Sequence, residues 1–163
     1  MTGPCQRTPI LLLQATADRQ GIDGRWRCLS GTAYLDPARA AQAVEGFRER
    51  CLELDGLPFG PDPATIRIST TQLLLSHGDG LPPGKVLVLT CRGESALFSR
   101  PFQAIHRTAH VDRATAQASM QAFRQDCMDP SMGLDYASGR DLEVSIRELI
   151  LDREHITTHY APP

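Results

Sequence analysis

Residues 32–51 read TAYLDPARAAQAVEGFRERC, and residues 108–127 read TAHVDRATAQASMQAFRQDC. The two stretches align without a gap at an offset of 76 positions, which places Asp36 on Asp112 and Cys51 on Cys127. The same offset pairs the apolar run ILLL at 10–13 with VLVL at 86–89. Self-similarity at a fixed period predicts a tandem duplication of one structural unit.

Each copy predicts the element order β-β-α-β. The short apolar run and the segment after it (25–35 and 101–111) have the length and branching of strands. Asp36 and Asp112 then stand at the N-cap of a helix whose apolar stripe ends in Cys51 and Cys127, which we interpret as core residues. A third strand closes each copy, at 65–75 and 141–151.

The predicted fold is one α+β domain spanning residues 1–163. It consists of a first repeat (9–76), a linker (77–84), a second repeat (85–152) and a C-terminal strand and tail (153–163). We expect the two repeats to form one pseudo-twofold antiparallel sheet with two helices on one face, because an amphipathic helix must bury its apolar stripe against the sheet.

Composition and charge disfavour several classes of function. A formal net charge of −2 gives no basic surface for nucleic acid, and no stretch is long and apolar enough to span a membrane. The five cysteines have no CxxC spacing, which predicts neither a disulfide framework nor a zinc site and favours a reducing cytoplasm. Lys85 is the only lysine among the 17 basic residues, which points to a GC-rich bacterial genome.

The alternation of side chains along the second strands predicts which face of the sheet carries function. Leu29, Ala33 and Ile105 would face the helices, and the even positions would form the opposite, uncovered face. That face combines aromatic and polar residues, which is typical of a ligand-binding trough. A partner subunit covering it is the alternative.

Differences between the copies fall on this predicted face. Ser30 becomes His106, Tyr34 becomes His110, and Thr71 becomes Arg147 at the 76-residue offset. The candidate ligand-binding residues are therefore Trp26, Tyr34, Phe102, His106, His110, Glu143 and Arg147.

The histidine spacing argues against a metal site. Residues four apart on one strand face are separated by about 13 Å, so His106 and His110 are not expected to ligate one ion. His155 and His159 repeat the spacing, and a four-histidine site is the less favoured interpretation. The sequence predicts no metal and no cofactor.

Three classes of function follow from these residues. The leading one is a non-enzymatic module that binds a small organic molecule on the uncovered face or between the repeats. A second is an inhibitor-like protein that docks the same face onto a protein partner or a second copy of the chain. A third is a small enzyme using His106, His110 and Glu143 as acid and base groups, although GxSxG, P-loop, GxGxxG and HExxH motifs are absent.

The duplicated module, its Gly- and Pro-rich segment GLPFGP at 56–61 and the strand segment Leu142-Glu143-Val144 resemble the gyrase-inhibitor-like family. That family includes the effector-binding domains of bacterial transcription activators. The resemblance implies two modules around a pseudo-twofold axis with a ligand cleft between them. It also implies that Glu143 is the carboxylate of that cleft and that Trp26, Tyr34 and Phe102 are its walls.

Overall fold

A computed structural model describes residues 6–20, 25–54, 60–78, 80, 82–98, 101–132 and 135–153. These residues form an α+β structure with a seven-stranded sheet and two α-helices, which confirms the predicted class. The strands are β1 (Gln6–Asp18), β2 (Arg25–Tyr34), β3 (Arg67–His77), β4 (Lys85–Glu94), β5 (Pro101–Ile105), β6 (Thr108–Ala109) and β7 (Glu143–Asp152), and the helices are α1 (Pro37–Leu52) and α2 (Arg113–Cys127). The last strand expected near His155 lies outside the described residues.

The sheet is mixed, so the prediction of a purely antiparallel sheet is wrong. Its strand order is β5-β4-β7-β2-β1-β3-β6. β2 runs parallel to β7, with Thr32 opposite Ile150, and β3 runs parallel to β6, with Leu74 opposite Thr108. Each parallel pair joins strands separated by several other elements, where no hairpin turn sets the direction and the apolar pattern does not encode it.

The chain divides into two compact units. The first unit contains residues 9–73 and the end of β7 from Ile150 onward. Within it, β1 and β2 form an antiparallel pair that runs from Asp18 opposite Arg25 to Leu11 opposite Tyr34. Helix α1 packs on this pair, and the buried core of the unit consists of Leu13, Ala15, Ala17, Tyr34, Ala40, Phe47, Cys51 and Ile66.

The second unit contains residues 74–149 and the start of β1. β4 pairs antiparallel with β5, from Glu94 opposite Pro101 to Thr90 opposite Ile105, and a bridge between Leu87 and His110 continues the pairing. The buried core beneath α2 consists of Leu87, Leu89, Cys91, Ala116, Phe123, Cys127, Ala137 and Leu142.

The two helices begin where the sequence predicts. An Asp36 carboxylate oxygen accepts a hydrogen bond from the Ala38 N–H at 3.0 Å, and an Asp112 oxygen accepts from the Thr115 N–H at 2.8 Å. Both N-cap predictions are confirmed, since these oxygens satisfy backbone donors that have no partner within the helix. Cys51 and Cys127 are 2% and 5% exposed, which confirms their place in the core.

The strand registers of the two units match at the 76-residue offset. Ala15 lies opposite Cys28 in the first unit, and Cys91 lies opposite Ala104 in the second. The register of β1 and β2 shifts between Leu12 and Gln14. At the corresponding position, the pairing of β4 shifts between the Leu87–His110 bridge and the pair Thr90–Ile105. Such shifts are typical of β-bulges, which bend a strand and increase its twist.

Each helix is also tied to the segment that follows it. The Arg48 guanidinium donates to the Ile66 carbonyl at 3.4 Å, and the Arg124 guanidinium donates to the Leu142 carbonyl at 2.7 Å. Both contacts satisfy a main-chain acceptor at the entry to β3 or β7.

Candidate functional site

Five of the seven predicted binding residues face the helices, so the predicted side of the sheet is wrong. Trp26 and Tyr34 pack in the core beneath α1, and Phe102 packs in the core beneath α2. The His106 ring lies 4.9 Å from the Phe123 ring of α2, and His110 stacks on His106. The remaining two, Glu143 and Arg147, are exposed on β7.

The error arises because the second strands are buried on both faces near their C-terminal ends, at residues 33–34 and 109–110. Ala33 and Ala109, on the odd face that we expected to meet the helices, are fully buried. Tyr34 and His110, on the even face, are only 8% and 6% exposed. An apolar-polar alternation identifies the core side of a strand only when its other side is solvated.

His106 and His110 lie much closer together than an unbroken strand would allow. Their ring centroids are 5.9 Å apart and the rings are nearly parallel, at 13°. The expected separation is wrong because β5 ends at Ile105 and β6 begins only at Thr108, with the register shift between them.

The environment of this histidine pair favours neutral imidazoles. Burial lowers the pKa of His106, while a hydrogen bond to the Thr108 backbone and the Asp126 carboxylate oppose that change. Burial and the neighbouring His106 lower the pKa of His110, and Asp112 opposes them. His110 Nε2 is buried without a hydrogen-bond partner in the described part of the chain. The pair is therefore an apolar-packed element of the core rather than a solvated acid–base group.

Glu143, the third member of the acid–base hypothesis, lies in a different environment. Its carboxylate accepts from the Arg92 guanidinium at 3.3 Å, and both side chains are more than half exposed. Among the described residues, no group of three or more histidine, cysteine, aspartate or glutamate side chains could hold a metal ion. His155 and His159 lie outside those residues.

A small cleft between β2 and α1 was not expected from the sequence. It has a volume of about 230 Å³ and is lined by Cys28, Leu29, Gly31, Phe47, Arg50, Cys51 and Leu54. Arg50 is the one charged residue of this lining, and its guanidinium lies 6.0 Å from the centre of the Phe47 ring. A Cβ atom added at Gly31 would meet no atom within 4 Å, so the cleft is open at that wall.

Each unit also holds a pair of neighbouring thiols. The Cys51 thiol of α1 is hydrogen-bonded to Cys28 of β2, and the Cys127 thiol of α2 is hydrogen-bonded to Cys91 of β4. In the first unit the strand cysteine is Cys28 of β2, which lies opposite Ala15 of β1. In the second unit the cysteine lies on the other strand of the pair, because Cys91 of β4 is opposite Ala104 of β5. Only the strand register, which the sequence pattern left undetermined, reveals this exchange.

Comparison with known proteins gives no relative from which a function could be transferred. No protein-family model, no curated protein and no solved structure matches the chain. Neither of the helices in the described residues has the length and apolar character that crossing a membrane requires.

Proposed function

We propose that the protein binds a small organic molecule, and that the ligand is a small apolar carboxylic acid held in the cleft between β2 and α1. The observation that carries the proposal is the placement of one arginine, Arg50, at an otherwise uncharged cleft. Arginine is suited to this role because its planar guanidinium binds a carboxylate with two parallel hydrogen bonds.

The size and lining of the cleft define the ligand further. Pockets for drug-sized ligands measure roughly 300–1,000 Å³, and this cleft is smaller, at about 230 Å³. Leu29, Phe47 and Leu54 supply apolar and aromatic contacts for a short hydrocarbon or a single ring. The open wall at Gly31 leaves room beside the strand for that group.

Trp26 fluorescence tests this proposal, since Trp26 packs against the same core and is the only tryptophan. Titration with benzoate or octanoate should change its emission, whereas benzylamine and octylamine should not. Arg50→Gln should weaken carboxylate binding about tenfold or more, because a charge-assisted pair is lost. Arg147→Gln, which removes an exposed arginine outside the cleft, is the matched control.

A second variant tests the position of the ligand independently of charge. Gly31→Leu should fill the cleft and abolish the fluorescence change without disturbing the fold, since the added side chain enters open space. Gly78→Leu, also at an open position, controls for the substitution itself. Carboxylate binding that survives both Arg50→Gln and Gly31→Leu would contradict the proposed site.

We further propose that the chain arose by tandem duplication of a β-β-α-β unit and functions in the cytoplasm of a bacterium. The shared registers, the paired N-caps and the equivalent arginine contacts at the 76-residue offset support the duplication. We also propose, from the same registers, N-caps and arginine contacts, that the chain is related to the gyrase-inhibitor-like family. Glu143, the carboxylate that the resemblance implies, pairs with Arg92.

A second candidate function is self-association or binding to a protein through the loop after β4. Leu97 and Phe98 are 55% and 49% exposed. Their backbone N–H groups donate to the Ser95 hydroxyl at 3.2 and 3.0 Å, and that hydroxyl donates to Asp135 at 2.6 Å. Two adjacent exposed apolar side chains on a hydrogen-bonded loop favour a protein contact. Sedimentation of the wild type and of Phe98→Ser at micromolar concentration tests for a second copy of the chain as the partner.

A further inference from the structure

The cleft between β2 and α1 exposes a dithiol as well as a cation. Cys28 projects from β2 and is half-buried, whereas Cys51 projects from α1 and is 2% exposed. Both cysteines line the cleft, so a small molecule that enters it lies beside both residues.

The two thiols differ in burial and in how readily the thiol loses its proton. Burial and the neighbouring Cys28 raise the pKa of the Cys51 thiol to about 11, and the hydrogen bond that Cys51 donates to Cys28 acts in the same direction. The proton therefore stays on Cys51 at neutral pH. Cys28 is the more accessible sulfur of the two, since it is only half-buried. A thiolate, rather than a thiol, is the nucleophile in thiol oxidation.

The second unit supplies an internal comparison. Cys91 and Cys127 form the corresponding pair, and the hydrogen bond donated by Cys127 lowers the pKa of the Cys91 thiol. Both sulfurs lie in the core, however, with residue exposures of 2% and 5%. A reactive cysteine must be accessible as well as ionised. The buried Cys91–Cys127 pair lacks the access that the Cys28–Cys51 pair has at the cleft, so a comparison of the two pairs tests the effect of access.

We propose that Cys28 and Cys51 are a redox-active pair that a small peroxide entering the cleft converts to a disulfide. The Cys28 thiolate attacks one peroxide oxygen, the O–O bond breaks, and Cys28 becomes a sulfenic acid with release of hydroxide. The Cys51 sulfur then attacks the Cys28 sulfur, the S–O bond breaks, and the second oxygen leaves as water. In total, two thiols and one hydrogen peroxide give one disulfide and two water molecules.

The product would join β2 to α1 covalently across the cleft. This inference does not depend on the carboxylate ligand, because oxidation is measured on the sulfur atoms themselves. Closing a loop between residues 28 and 51 restricts the unfolded chain, so the oxidised protein should unfold at a higher temperature than the reduced protein.

Peptide mapping after oxidation tests the proposal. The reduced full chain, carrying Cys5→Ser to prevent intermolecular pairing, is treated with one equivalent of hydrogen peroxide for increasing times. Remaining thiols are alkylated in denaturant, and trypsin then leaves each of the other four cysteines on a separate peptide. The Cys28–Cys51 disulfide should form about tenfold faster than the Cys91–Cys127 disulfide, since access decides the rate.

Two variants establish the order of events and the route of entry. In Cys51→Ser the disulfide cannot form, and dimedone should trap a sulfenic acid at Cys28. In Gly31→Leu the filled cleft should slow oxidation of Cys28, while Gly78→Leu leaves the rate unchanged. The proposal is overturned if Cys91–Cys127 oxidises as fast in the wild type, if dimedone finds no sulfenic acid at Cys28, or if Gly31→Leu oxidises at the wild-type rate.

Discussion

Two histidines in the second unit show how far a residue's chemistry depends on packing. In the sequence, His106 and His110 occupy one face of a predicted strand and indicate a polar site. Their four-residue spacing predicts that they are far apart. In the structure the two rings stack on each other, and the His106 ring also packs at a tilt of 46° against Phe123. Burial favours the neutral form of each imidazole. The contribution of the pair to the free energy of unfolding therefore depends on pH.

Stability should therefore decrease in mild acid. The pKa of both imidazoles is lowered from the ordinary 6.5, so the folded state binds protons less readily than the unfolded chain. The free energy of unfolding should be at its full value above about pH 6.5 and fall as the pH drops below it. Urea unfolding between pH 7.5 and 5 measures this dependence.

A variant in which both histidines are replaced by the residues of the first unit provides the control for this measurement. His106→Ser with His110→Tyr introduces the residues found at the equivalent positions, Ser30 and Tyr34. The variant should lose most of the additional destabilisation in acid, whatever its stability at neutral pH. An equal loss of stability in acid in both proteins would show that groups other than these two histidines cause it.

At the scale of elements, the helices are the most predictable part of the chain. Their start residues are set by local backbone chemistry, since an aspartate oxygen two or three residues away satisfies an N–H that the helix leaves without a partner. Their buried stripes follow from the 3.6-residue period and end in Cys51 and Cys127.

Removing either cap should destabilise the protein by a similar amount. Asp36→Ala and Asp112→Ala should each lower the free energy of unfolding by about 1 kcal/mol, because a backbone donor loses its acceptor. Asp36→Ser and Asp112→Ser retain an acceptor oxygen and should lie close to the wild type. Chemical denaturation followed by circular dichroism gives the four values, and an unchanged stability in the alanine variants would contradict the capping role.

At the scale of the whole molecule, β7 contributes to both units. Residues 143–149 belong to the second unit, and the end of the strand from Ile150 belongs to the first. There it runs parallel to β2, and the Asp152 carboxylate accepts from Arg39 of α1 at 2.9 Å. Asp152 is only 15% exposed in its side chain, which limits solvent screening of the pair.

The ion pair between Arg39 and Asp152 should therefore contribute measurably to the free energy that holds the end of β7 against β2 and α1. A double-mutant cycle with Arg39→Gln and Asp152→Asn should give a coupling energy of about 1 kcal/mol, between that of an exposed pair and that of a buried one. Unfolding in low and high salt supplies the readout, with a smaller coupling expected at high salt. A coupling close to zero in both conditions would mean that backbone pairing alone holds the strand end.

The sequence by itself determined the α+β class, the positions of both helices and their caps, and the core role of the helix cysteines. Each of these depends on residues that are near one another in the chain, so local periodicity and capping chemistry suffice to predict them. The tandem duplication indicated by the 76-residue offset stays a prediction.

Only the tertiary structure decided the direction of β7 and β3, the side of the sheet that meets each helix, and the candidate site. These depend on pairings between distant segments such as Thr32 with Ile150, and on bulges that a period-two pattern does not show. The cleft beside Arg50 and the Cys28–Cys51 pair require β2 and α1 to pack with one particular register and face. Where a strand is buried on both faces, as β2 is at Ala33 and Tyr34, the sequence pattern carries no signal for that choice, since either face can satisfy the hydrophobic effect.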